Sequence, residues 1–454
     1  MKYPALSENN IFPVPVGDFW QVEPERLFIV YAPLNLQFFL ATQKSVDELE
    51  KNITDINLCN EQQIKLFDTL KTIGKTPVHY LPKTVDDLYQ VDLLLNNTCN
   101  FRCTYCYSAA GRSQGEVKFE QVKAVVDYLF SRKQTKPYII DFSGGGEPLL
   151  SFPLMQQTIE YIEKIASAKN CFYNIGLVTN GSLITAEIIE YLKNKNINMT
   201  VSFEILQHLQ DMERGSYATV AKNIDLMLDC DYSFGIRTTF TPESVPYMTE
   251  MIEELHRRFP RIGKVIFDTV LSPDIFNTPE MLNDYYTAFL DNYFAAKRRG
   301  KELNVNVESI AVETLSILRE RTCAGKITLT PEGAISCCSR VSSSKEALYN
   351  QYVYGKIDTD NKLIFDEDKL RQIVSENNIY SQPFCGDCFA KWNCGGGCRL
   401  FHQLFTSEFL KPKCDFTRQG LKLEIFHLLC ANFERQQNRN LHSYISEKIK
   451  NGEI

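Results

Sequence analysis

Between about residues 91 and 308, short β-branched apolar runs alternate with amphipathic helical patterns. VDLLLNN precedes FEQVKAVVDYLFSRK, PYIIDFSGG precedes SFPLMQQTIEYIEKIASAK, and FYNIGLVTN precedes TAEIIEYLKNK. NMTVSFEI precedes YATVAKNIDLMLDC, YSFGIRTTFT precedes VPYMTEMIEELHRRF, and KVIFDTVL precedes PEMLNDYYTAFLDNYFAAKRRG. Strands that are apolar almost throughout are expected where helices cover a parallel sheet. Six consecutive βα units imply either a full or partial TIM-like barrel or a doubly wound sheet. In both, ligands sit at the C-terminal ends of the strands. The chemically unusual residues gather there. CNFRCTYC follows the first strand, SGGGEP the second, and TNG ends the third. Ser202 and Glu204 end the fourth, and Arg237 lies in the fifth. Units that face one shared mouth favour the barrel.

The flanks read differently. RLFIVYAP and QFFLAT pattern as a hairpin, followed by helical stretches SVDELEKNI and EQQIKLFDTLKTI. Residues from about 310 to 420 are rich in Cys and Gly, and about 417–450 is helical, with LKLEIFHLLCANF apolar on one face. The expected organisation is an N-terminal segment at 1–88, a core barrel at 89–310, a Cys-rich domain at 311–420 and a C-terminal helix at 421–454.

Composition excludes several classes. The 454 residues suffice for several domains with a large core. With 44% hydrophobic and 23% charged residues, the chain is ordinary for a globular protein rather than disordered or fibrous. A net charge of −7 argues against a general nucleic-acid binder. No apolar run approaches the ~18–20 residues that cross a bilayer, and the first residues lack the pattern of a signal peptide. A cytoplasmic protein is therefore expected, and its 15 Cys are expected to be metal ligands, reactive thiols or small core residues rather than disulfides. Cys59, Cys171 and Cys230 stand alone and read as core residues.

Cys99, Cys103 and Cys106 are spaced C-x3-C-x2-C on the loop after the first strand, with Tyr105 just before the last. Three thiolates on one short loop can hold three corners of a four-iron cluster and leave one iron open to a small molecule. The alternatives are a zinc loop, which would need a fourth protein ligand where no His is close, or coincidence. In the tail, Cys385, Cys388, Cys394 and Cys398 read C-x2-C-x5-C-x3-C, followed by Cys414, and upstream Cys323 and Cys338 bracket Gly333 as C-x9-G-x4-C. A Gly-rich stretch such as FCGDCFAKWNCGGGC has little core of its own, so metal would hold it folded, as iron–sulfur clusters or as zinc.

CNFRCTYC, GGEP, TNG and the βα units together resemble the radical SAM superfamily over about residues 91–310. The resemblance implies that Cys99, Cys103 and Cys106 hold a [4Fe–4S] cluster. Its open iron takes the amino and carboxylate groups of S-adenosylmethionine. Reductive cleavage then gives a 5′-deoxyadenosyl radical that abstracts a substrate hydrogen. Gly145 and Gly146 would let the backbone approach the methionine amino group, Glu147 would accept from it, and Pro148 would fix the turn. Gly144 is an extra glycine. Thr179, Asn180, Ser202 and Glu204 are candidates for the ribose or methionine groups, Glu204 standing where Asp is often found in an S-x-D-G stretch. Arg214 or Arg237 would pair with the methionine carboxylate, unless each serves an ordinary ion pair.

The tail resembles the SPASM extension of radical SAM enzymes that modify peptides and proteins. Carried over, Cys385, Cys388, Cys394 and Cys414 hold a second auxiliary cluster, and Cys398 crosses back to join Cys323 and Cys338 at a first. Fully ligated relatives have another Cys a few residues before Cys323; VETLSILRERT has none. Three Cys ligands and one open or non-Cys position are expected there, where a substrate thiolate could bind. Cys337, Glu313, Glu320 or water compete for that position. The implied fold is α/β, a partial (β/α)6 TIM-like barrel with a small N-terminal α+β segment and a C-terminal iron–sulfur domain. The implied function is a maturase that modifies a ribosomally made precursor peptide, by thioether or other crosslink. A small electron donor such as flavodoxin or ferredoxin would serve it, with no nucleic acid or membrane as partner. The N-terminal segment either binds a leader peptide by strand addition or caps the barrel. The alternatives are an anaerobic sulfatase-maturating enzyme, whose first auxiliary cluster is fully Cys-ligated, and an iron–sulfur electron-transfer or scaffold protein.

Overall fold

A computed structural model describes residues 2–54, 59–70 and 81–454. Three short strands open the chain: β1 (Phe12–Pro15), β2 (Leu27–Ala32) and β3 (Gln37–Thr42), paired antiparallel in the order β1-β2-β3. The expected hairpin is β2–β3; β1 was not anticipated. Helices Gln43–Thr54 and Glu61–Leu70 follow as expected, the last residues of the EQQIKLFDTLKTI stretch, 71–73, lying outside the described residues. β2 is buried on both faces, and its period-2 alternation sorts the contacts. Phe28, Val30 and Ala32 pack with Val46, Leu49 and Ile53 of the following helix. Leu27, Ile29 and Tyr31 pack on Leu421, Ile425, Leu441 and Ile445 from the far end of the chain. The N-terminal sheet is thus sandwiched between its own helices and the C-terminal ones.

The main sheet comprises β4 (Gln90–Leu93), β5 (Tyr138–Phe142), β6 (Tyr173–Thr179), β7 (Asn198–Ser202), β8 (Phe234–Phe240), β9 (Lys264–Thr269), β10 (Asn306–Glu308), β11 (Ile327–Leu329), β12 (Ala334–Ser336), β13 (Val353–Ile357) and β14 (Leu363–Phe365). Its order is β10-β9-β8-β7-β6-β5-β4-β11-β12-β13-β14. From β10 to β11 every pairing is parallel, and β11 to β14 pair antiparallel. Each of the six anticipated strands is followed by its helix, from Phe119–Ser131 to Pro279–Glu302. No pairing among the described residues joins β10 to β14, so the barrel is partial and open. β10 extends one edge, and β11–β14 carry the other edge into the Cys-rich region.

Along β6, Ile175, Leu177 and Thr179 are buried against the helices, while Gly176 and Val178 face the less covered concave side. The same alternation places Arg237 and Thr239 of β8 on the concave side. Local signals fix the helix starts. Thr185 accepts from the Ile188 amide at 3.3 Å, and Thr278 accepts from the Met281 amide at 3.3 Å, with Pro279 at the first helical position. The 28-residue helix Leu410–Gln437 stacks Phe416 on Tyr286 of Pro279–Glu302, ring centroids 4.4 Å apart. It begins earlier than the helical pattern suggests, so Cys414 sits on it.

Candidate active site

The Cys99–Cys106 loop leaves β4 and is fastened by its backbone to the SGGGEP loop after β5. The Gly146 amide donates to Asn96 O at 2.9 Å, and the Glu147 amide donates to Thr98 O at 2.8 Å. This approach tolerates no side chain: a Cβ on Gly146 would lie 1.9 Å from Thr98 O. Gly144, the extra glycine, has φ +102°, and a Cβ there would lie 2.9 Å from Ser339 O. It admits the loop after Cys338 to the barrel mouth, bringing part of the tail to the first site.

Glu147 is 3% exposed. Its carboxylate accepts from Thr179 Oγ1 at 2.6 Å, the Asn180 amide at 2.7 Å and the Leu149 amide at 3.1 Å. Burial pushes its pKa up and these donors oppose the shift. Both oxygens are thus occupied within the protein, locking the β5 loop to the end of β6, with Pro148 opening the turn Pro148–Ser151. Gly145 lies between the two glycines described, against Asn96. Asn180 donates to Asn100 Oδ1 at 2.9 Å and reaches Cys99 Sγ at 4.0 Å.

Opposite these, Tyr105 donates its hydroxyl to Glu204, and Arg214 Nη1 donates to the Tyr105 hydroxyl at 2.8 Å. Arg214 lies 3.8 Å from the same carboxylate, which is 1% exposed. Burial lifts Glu204 to about 7, against the pull of Arg214, and lifts Tyr105 well above its usual range. Burial likewise pushes the Cys103 thiol up to about 11, opposed by Arg214. Without iron the Cys103 thiol is therefore protonated at neutral pH, and metal binding would release its proton. Glu204 Oε2 and Arg214 Nε are buried with no hydrogen-bond partner among the described residues. Three thiols beside one orphaned acceptor and one orphaned donor fit a cluster with an open iron and a zwitterionic ligand.

Ser202 and Arg237 stand side by side in register on β7 and β8. Arg237 is ion-paired with Asp268 of β9, so Arg214 is the arginine placed beside the cysteine loop. Glu213 is a residue that sequence reading missed. It accepts from Thr104 of the cysteine loop and, at 2.6 Å, from Thr241 beyond β8. Only its place beside Arg214 in DMERG could have signalled it.

The tail thiols fall into two groups. Burial pushes Cys385 up to about 12, and the neighbouring Cys388, Cys394 and Cys414 add to the shift; Cys414 is pushed up to about 11 by burial, with Cys394 and Cys388 adding. Cys338 is pushed up to about 12 by burial, with Cys323 and Cys398 adding. Cys337 is 3% exposed and packs in the main hydrophobic core. Glu313 pairs with Lys297, and Glu320 accepts from the Tyr380 hydroxyl at 2.8 Å. Among the described residues, no three His, Cys, Asp or Glu side chains gather around a point for one metal ion. A cluster instead spreads its ligands over several irons. The group of Cys385, Cys388, Cys394 and Cys414 is clamped by residues the sequence did not reveal. Buried Asn393 accepts from Tyr31 at 3.0 Å, and Trp392 donates to Asn10 at 2.8 Å. Cys59, Cys171 and Cys230, read as core residues, are half-buried at core margins.

Residues 93–259 match the family model described as Radical SAM superfamily. An uncharacterized protein of Methanocaldococcus jannaschii is 32% identical over 177 residues, 38% of this chain and 59% of that protein. The radical SAM cyclopropyl synthase TigE of Paramaledivibacter caminithermalis is 20% identical over 67% of this chain and 68% of its own length. A cysteine-type anaerobic sulfatase-maturating enzyme of Clostridium novyi is 22% identical over 44% of this chain and 56% of its own. The chain thus spans less than two thirds of two of these relatives. Among solved structures, native anSMEcpe with bound AdoMet superposes with TM-score 0.60 at 17% identity, covering 75% of this chain and 98% of that one. Streptococcus suis SuiB bound to precursor peptide SuiA superposes with TM-score 0.51 at 12% identity, covering 85% and 95%.

Proposed function

This chain belongs to the radical SAM superfamily and has the architecture of its SPASM-type enzymes; on that premise we propose that it is a maturase of ribosomally made peptides. Cys99, Cys103 and Cys106 would hold the first cluster, and Glu204 Oε2 and Arg214 Nε are the buried atoms left for the charged ends of S-adenosylmethionine. When bound, that pair supplies a 5′-deoxyadenosyl radical able to take a hydrogen atom from a substrate. Tyr105 and Arg214 orient Glu204, and Glu147 locks the wall behind the loop. Cys385, Cys388, Cys394 and Cys414 would hold one auxiliary cluster, and Cys323, Cys338 and Cys398 the other.

The observation that carries the peptide reading is Cys337. Its side chain is buried in the core, with Cys323 the first neighbouring group to act on its thiol; on this reading it serves as a core residue, which gives the first auxiliary site three cysteines, and the loop after Cys338 reaches the barrel mouth over Gly144. That leaves a position for a substrate thiolate near the first site, as thioether formation requires. The N-terminal sheet would receive a leader peptide, and a flavodoxin or ferredoxin would supply electrons. Among the described residues no helix is long and apolar enough to cross a membrane.

The test is anaerobic reconstitution with S-adenosylmethionine, reductant and cysteine-containing precursor peptides encoded beside the gene. A product lighter by two hydrogens, with its thiol masked, is expected. The relative from Clostridium novyi supports a second reading, sulfatase maturation. Formylglycine in a sulfatase peptide, with precursor peptides unchanged, would replace the first reading by the second.

A further inference from the structure

Tyr352 ends the short helix Tyr349–Tyr352 and is 3% exposed. Its hydroxyl is buried with no hydrogen-bond partner among the described residues. A hydroxyl in that state forfeits its hydration with nothing in return, and native structures rarely leave one so unless an absent group satisfies it. Two other buried tyrosines show the usual arrangement. Tyr354 donates to Lys326 O at 3.0 Å, and Tyr138 donates to Leu129 O at 2.7 Å.

The surroundings identify the missing acceptor. The Cys337 amide donates to Tyr352 O at 2.9 Å, so the tyrosine is fastened beside the Cys337–Cys338 pair. Arg399, which follows Cys398, lies over the Tyr352 ring at 4.7 Å from its centroid. Three of its N–H groups are engaged elsewhere, Nε and Nη2 with Glu376 at 2.9 and 2.5 Å and Nη1 with Gln351 O at 3.4 Å, and whatever a guanidinium offers the phenol is a donor, never an acceptor for its O–H. The ring is therefore held between the neighbours of two cysteines while its O–H has no acceptor among the described residues. Burial pushes the phenol well above its usual range and Arg399 opposes the shift, with Cys338 and Cys398 the next groups that bear on it.

The geometry points to Tyr352 as the hydrogen-bond donor to a sulfur of the first auxiliary cluster, at the site of Cys323, Cys338 and Cys398. This rests on the reading above that the site holds a cluster. A donor at a cluster sulfur favours the reduced, more negative state and raises the reduction potential. Tyr352 is thus a positioning and tuning residue, not a ligand.

Tyr352→Phe keeps the ring and its stacking on Arg399 and removes only the O–H. The full chain is reconstituted anaerobically and compared with wild type by iron content, EPR-monitored redox titration and thermal melting with and without iron. Unchanged iron is expected, with one EPR component moved to a more negative potential, the others unmoved, and the iron-free variant melting no lower. Tyr354→Phe serves as the control: it loses a bond to a backbone carbonyl and should melt lower without moving any potential. Potentials that all stay in place with iron intact would overturn the assignment. So would loss of iron together with a visible phenolate-to-iron absorption band, which would make Tyr352 a ligand. Wild-type iron of only about four per chain, all lost with Cys99, Cys103 and Cys106, would instead overturn the reading of the site as a cluster site.

Discussion

The loop of Cys99, Cys103 and Cys106 hangs from a parallel sheet and is fastened by backbone bonds from Asn96, Thr98 and Thr104 to Gly146, Glu147 and Glu213. The stretch holding Cys385, Cys388, Cys394 and Cys398 contains only the four-residue helix Lys391–Cys394 and leads into the six-residue helix Arg399–Leu404. Its backbone is tied to residues 319–322, and its side chains to Tyr31 and Asn10 near the N-terminus. The first region positions its thiols through the fold alone. The second brings its thiols together with little regular structure, and binding energy from metal would be folding energy there.

Removing iron should separate the two most strongly. After anaerobic chelation, amide protection should collapse over 383–398 and persist in β4–β9, as read by hydrogen exchange. Cys388→Ala should reproduce that local loss, whereas Cys430→Ala, outside either group, should leave the pattern unchanged. Equal loss of protection in barrel and tail would erase the distinction.

The next effect reverses the comparison, because the barrel loop depends on backbone fit and not on metal. Gly146→Ala places a Cβ 1.9 Å from Thr98 O. It should cost about 3 kcal/mol or more in denaturant unfolding of the barrel and abolish S-adenosylmethionine cleavage, while the tail keeps its iron.

The smallest effect lies in the concave wall. Asp141 is lifted to about 6 by burial, with Asp92 adding and Lys326 opposing. Its carboxyl binds a proton more tightly folded than unfolded, so its penalty is absent below about pH 4, grows through pH 4–6 and is full above pH 6, at about 2–3 kcal/mol. Asp141→Asn should therefore stabilise the chain at pH 7 by that amount and not at all below pH 4. Urea unfolding at the two pH values measures it, and a pH-independent difference would contradict the burial of this wall.

Sequence patterning revealed the long regular units and missed the short ones for a physical reason. Six βα units were legible because each pairs a continuous apolar run with a full helical period. β10 and β11–β14 are three to five residues long, too short for either period to register. β1 carries Pro13 and Pro15, which sequence rules count against a strand. In the site, Cys99, Cys103, Cys106, Tyr105, Glu204 and Arg214 each carried a chemical signal. That Tyr105, Glu204 and Arg214 form one chain is tertiary, as is the commitment of the Glu147 carboxylate to Thr179 and Asn180. Glu213, Asn393 and Tyr352 belong to no motif; their roles depend on which way a buried side chain turns.

The central claim is that the barrel loop alone supports radical chemistry. The direct measurement is 5′-deoxyadenosine formed by anaerobically reconstituted wild type and by the Cys99→Ala, Cys103→Ala, Cys106→Ala triple variant. The account predicts that the variant loses all 5′-deoxyadenosine and about four irons per chain, while keeping its fold and the iron of the tail. Undiminished S-adenosylmethionine cleavage in the variant would contradict it.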